Sequence, residues 1–124
     1  MTDRYFRVPA TVIVDLNING SMVQEPYSFE TFSGVIYDSM VTKPGARVWS
    51  CGLIWEKLKK KPGELVKLSD DGGDASEWAR VCLAADEPGA HLPGAVKRHV
   101  MAYVGAILNA TVEEPKPEAA PAQV

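Results

Sequence analysis

Two cysteines, two histidines and one knot of acids are the residues of this 124-residue chain whose types bear on chemistry. Cys51 and Cys82 stand inside apolar helical patterns, where a free thiol behaves as a small hydrophobe. His91 and His99 share no metal-binding helical spacing with each other or with either cysteine. A zinc centre needs four converging ligands, or three and a water, so neither a metal nor any other cofactor is expected. Cys82 and His99 could meet across neighbouring helices, giving the thiol-and-base pair that nucleophilic catalysis requires. No glycine motif for an oxyanion hole and no orienting third group accompanies them. The chain therefore reads as a non-enzyme. Asp70, Asp71, Asp74 and Glu77 surround Gly72-Gly73. They lack the alternating ligands and closing Glu of a calcium loop, and acids placed there suit the positive end of a helix.

The cations point elsewhere. Lys57, Lys59, Lys60 and Lys61 gather in one run, where a helix C-terminus favours positive charge. No glycine-rich phosphate loop is present, and no aromatics alternate with the lysines as single-stranded nucleic acid would require. The net charge is −3, of which residues 113–124 carry −2. A body so close to neutral has no footprint for nucleic acid. The four lysines and the neighbouring Trp55 are instead the candidate protein-binding residues, since Trp is favoured in binding hot spots. Trp55 stands on the shoulder of an apolar stripe, either on an exposed patch or under lysine stems. Trp49 and Trp78 read as core.

The elements that must position these residues follow from pattern. Val8–Ile18 is rich in β-branched residues and runs into Asn19-Gly20, the pairing that a tight hairpin turn selects. Ser21–Tyr27 is the return strand, with Pro26 marking its end or an edge. Val12, Val14, Leu16 and Ile18 share the face expected to look inward. Ser28 caps a helix whose stripe is Phe29, Phe32, Val35, Ile36 and Met40. Arg47–Lys60 is a second helix with Val48, Trp49, Leu53, Ile54 and Leu58 as its core stripe. Glu64–Leu68 is a short strand expected to pair with the hairpin. A third helix buries Trp78, Val81, Cys82 and Ala85. A fourth opens at Leu92-Pro93 and buries Val96, Val100, Tyr103, Val104, Ile107 and Leu108. Lys97, Arg98 and His99 near its start, an unfavourable end for cations, call for a partner.

The expected fold is α+β in the order ββααβαα: a hairpin and one further strand in a small antiparallel sheet, packed on about four helices. Residues 1–112 form one domain, and 113–124, alternating Pro, Ala and Glu, a disordered segment. No secretory leader is expected. The longest apolar run, Val100–Leu108, is far short of the roughly 20 residues of a membrane span.

This layout resembles small bacteriophage morphogenesis proteins, in particular the tail assembly chaperones of long-tailed phages. The likeness runs over residues 8–112. It rests on the N-terminal β segment, the helix start Ser28-Phe29-Glu30-Thr31-Phe32, and the run from Glu64 to Asp71 followed by Trp78. Pro88 and a closing helix, Val100 with Ala106-Ile107-Leu108-Asn109-Ala110, complete it. Gly72-Gly73 and the Pro-rich C-terminal segment depart from the pattern. The resemblance implies a protein of the host cytoplasm, or of the virion, that binds phage structural proteins or itself as a homo-oligomer. It carries over no catalytic residue. The alternative is a phage-encoded module that inhibits a host defence or regulatory protein.

Overall fold

Asn19 and Gly20 both take positive φ, 53° and 83°, and turn the chain back on itself as a two-residue hairpin. The computed structural model describes residues 2–113. The turn joins β2 (Val12–Ile18) to β3 (Ser21–Tyr27), antiparallel with Val14 opposite Glu25 and Leu16 opposite Val23. Val14 is buried, and Val12 and Leu16 are half-buried against the core, as the alternation requires. Ile18, placed on the same face by pattern, lies beyond the core's edge and is exposed.

Glu64–Leu68 does not pair with that hairpin. The strand, β4 (Leu65–Ser69), pairs antiparallel with a segment not read as a strand, β1 (Asp3–Arg7). Phe6 stands across from Val66, and both are buried. Pro9, which has no N–H to donate, separates β1 from β2, so Val8–Ile18 is not one continuous strand. The outer edge of β1 is closed by Thr111, whose N–H and C=O exchange bonds with Tyr5 at 3.0 and 2.8 Å. The molecule is α+β with two separate two-stranded sheets rather than one.

Ser28 caps α1 (Phe29–Val41) by accepting the Thr31 N–H at 3.1 Å. Ser76 caps α3 (Glu77–Asp86) in the same way through Ala79, at 3.0 Å. Between them lies α2 (Val48–Leu58). The expected fourth helix is two: α4 (Gly94–Lys97) and α5 (Met101–Leu108), broken at Val100. The element order is thus βββααβααα. Phe29, Phe32, Ile36, Ile54, Leu68 and Tyr103 centre the core, where the Phe29 ring meets Tyr103 edge-on at 5.4 Å. The expected disordered segment lies, beyond Glu113, outside the described residues.

Candidate functional site

The acidic knot is structural. Asp70 Oδ2 accepts from Arg4 Nε at 2.9 Å, and the Arg4 guanidinium stacks 4.3 Å over the Trp78 ring. Trp78 is half-buried and donates its indole N–H to the Ile107 carbonyl at 2.9 Å. Asp71 accepts the Thr2 N–H at 3.0 Å. Glu77 accepts from Lys57 Nζ at 2.7 Å and from the Ser69 N–H at 3.0 Å. Among the described residues, no three of His, Cys, Asp and Glu are grouped to hold a metal ion.

Burial raises the Glu77 carboxyl, but Lys57 and the Ser69 N–H outweigh it and hold the group below its ordinary 4.5. The ionised form is therefore favoured by folding. Its contribution is present above pH 4.5 and is lost as pH falls through the lower folded value. Glu77→Gln is expected to cost about 1 kcal/mol at pH 7. In chemical denaturation the gap to wild type should close on acidification; a gap that persists in acid would contradict this role.

The thiols and histidines each have their own surroundings. Cys51 is fully buried, with Arg80 donating to its Sγ at 3.4 Å. Burial, with the Asp70 charge behind it, pushes the Cys82 thiol up to about 11, the reverse of an activated nucleophile. His99 Nε2 accepts from Arg98 at 3.3 Å and lies 3.8 Å from Asp15 on β2. His91 sits exposed in a 3-10 turn.

The four lysines do not form one surface. Lys57 is tied to Glu77 and, with Lys60, faces a cleft beside Asp3, Lys67 and Ser69. Lys59 pairs with Glu56 at 3.1 Å and lies 4.4 Å over the Trp55 ring. Lys61 is exposed, its N–H donated to Glu64. Trp55 is half-buried, with the Lys59 ammonium over its ring. Its indole N–H donates to the buried Ser33 hydroxyl at 3.2 Å, and its ring lies 5.5 Å from that of Tyr37.

The surface that sequence reasoning missed is the other face of α2. Cys51, Ile54 and Leu58 are its buried residues. Val48, Trp49 and Leu53, expected in the core, are 68%, 78% and 48% exposed. The helix is apolar on both sides, so periodicity alone misassigns its inward face. The signal against the expected stripe was Glu56, one and two turns from Gly52 and Val48 on the same outer face. That face and α1 bound an open groove of about 800 Å³, lined by Gly34, Tyr37, Trp49, Gly52, Leu53 and Trp55. Asp38 and Glu56 also line it, Glu56 being paired with Lys59.

Gly34 and Gly52 lie inside helices and form part of this groove. A Cβ added at either meets nothing within 4 Å, and neither has positive φ. Glycine within a helix costs about 1 kcal/mol relative to alanine, and here no contact within the molecule requires it. Both positions leave the groove without a side chain there.

No family model matches the chain, and no curated protein or solved structure matches it. No helix among the described residues is long and apolar enough to cross a membrane.

Proposed function

We propose that this chain is a non-enzymatic binding protein that acts through protein–protein contact during phage virion assembly, with the α1/α2 groove as its docking surface. The observation that supports docking is Trp49. A Trp that is 78% exposed, flanked by exposed Val48 and Leu53 at the mouth of a glycine-lined groove, is a contiguous apolar patch. Such patches mark interaction sites, and Trp is the side chain most often found carrying interface energy. The assembly role is supported by the layout's likeness to tail assembly chaperones. Trp55 lines this groove with Lys59 lying over its ring; Lys57, Lys60 and Lys61 are left to their own contacts.

The reading is tested by co-expressing the full chain with the products of the genes that flank its own. A complex with a tail structural protein, lost in Trp49→Glu, is the expected result. Flanking genes for early functions, with a stable complex on a host defence protein, would replace assembly by inhibition. A complex indifferent to Trp49→Glu would remove the groove from the account.

A further inference from the structure

Between the α1–α2 connection and α3 lies an open cavity of about 380 Å³, lined by Lys43, Arg47, Ser50 and Arg80 together with apolar Met40 and Leu83. Three cations and no acid line it. Among the described residues, none of the three lies within ion-pair distance of a carboxylate, although acids outnumber Lys and Arg in the chain, 16 to 13. Glu77, whose titration Arg80 influences, is already bonded to Lys57 and to the Ser69 N–H. Asp74, the residue before Ala75 on the cavity wall, makes no ion pair. Arg80 is half-buried, and of the five N–H donors of a guanidinium it uses one, on Cys51 Sγ at 3.4 Å. Arg47 holds the N-cap position of α2 without capping it, and the first turn of that helix carries no acid. A helix N-terminus disfavours a cation, and Ser, Thr, Asp or Asn is its ordinary occupant.

We infer that this cavity binds a phosphate monoester of a small apolar group. A cleft walled by one sign of charge concentrates ions of the other. Two guanidinium groups, whose forks match phosphate oxygens, line it with an ammonium and the uncapped first turn of α2. Charge favours phosphate over carboxylate. A monoester carries about −1.5 to −2 at pH 7, and three cations without a counter-charge call for more than one negative charge. Size favours an ester. The volume falls within the roughly 300–1,000 Å³ of small-molecule sites, more than a bare phosphate fills, and Met40 and Leu83 supply an apolar wall. The cavity shares no lining residue with the α1/α2 groove, so it stands whether or not that groove docks a protein.

The test titrates the full chain with phenyl phosphate, inorganic phosphate and benzoate at constant ionic strength, read by calorimetry and by melting temperature. Phenyl phosphate is expected to bind with a Kd below about 1 mM and to raise the melting temperature. Inorganic phosphate and benzoate should each bind at least about tenfold more weakly. Arg80→Gln and Arg47→Ser should each weaken phenyl phosphate binding by about tenfold or more. Arg47→Ser carries a second readout. Serine caps a helix that arginine leaves uncapped, so without ligand this variant should melt higher than wild type while binding less, a pair of changes that misfolding would not produce. Wild type that gives neither heat nor a melting shift at about 10 mM phenyl phosphate would overturn the site, as would the two variants binding like wild type. Benzoate binding as tightly as phenyl phosphate would overturn the assignment to phosphate. Inorganic phosphate binding as tightly would overturn the apolar ester.

Discussion

Tyr103→Phe is expected to destabilise the chain by about 2 kcal/mol, although the substitution removes one oxygen atom. Tyr103 is fully buried on α5. Its hydroxyl accepts the Val12 N–H at 3.0 Å and donates to the Tyr27 carbonyl at 2.6 Å. Val12 and Tyr27 are opposite each other at the open end of the hairpin. The hydroxyl thus bridges the hairpin's last pair and ties it to a helix some 90 residues later in the chain. The Ala10 carbonyl also lies within reach, at 3.2 Å. Phe keeps the ring's edge-on contact with Phe29 but leaves the Val12 donor and Tyr27 acceptor without this partner. A half-buried polar group so stranded costs on the order of 1–3 kcal/mol. Urea titration should show a lowered midpoint with an unchanged slope, and the melting temperature should fall by roughly 8 °C. Wild-type stability in the variant would mean that the hydroxyl does not hold the hairpin to α5.

Gly52→Ala should separate folding from function by moving them in opposite directions. The new methyl meets nothing within 4 Å, and alanine in a helix interior is favoured over glycine by about 1 kcal/mol. The variant is therefore expected to melt higher than wild type. The same methyl stands where a docked helix must approach, so association should weaken. Trp49→Glu is the stronger arm. It should leave stability within about 0.5 kcal/mol, because the side chain is mostly in solvent. It should also weaken association by 2 kcal/mol or more, roughly thirtyfold, as removal of an interface Trp does. If Trp49→Glu unfolds the protein, the side chain is core and the docking account fails. If Gly52→Ala raises both stability and association, the groove floor is not approached.

The parts of this fold legible in the sequence are those decided locally. Asn19-Gly20 sets its own turn, and Ser28 caps α1 through its own hydroxyl three residues on. The α1 stripe needed only the helical period, because its apolar residues are confined to one side. β1 was hidden because Asp3, Arg4 and Arg7 dilute its two aromatics, and because its stability comes from β4, about sixty residues away. The break between α4 and α5 was hidden because both lie on one continuous apolar pattern. The candidate site failed for a related reason. On α2 two apolar stripes compete, and Trp49 as the larger residue pulled the expected core to the wrong side.

Trp49 is readily oxidised, so hydroxyl-radical footprinting of the full chain, alone and in complex with a flanking-gene product, reads the docking face directly. The account predicts that Trp49 reacts fast in the chain alone and becomes protected in the complex, while exposed Met22 on the hairpin stays reactive as the control. Trp49 that reacts equally fast in the complex would contradict the claim that its face is the docking surface.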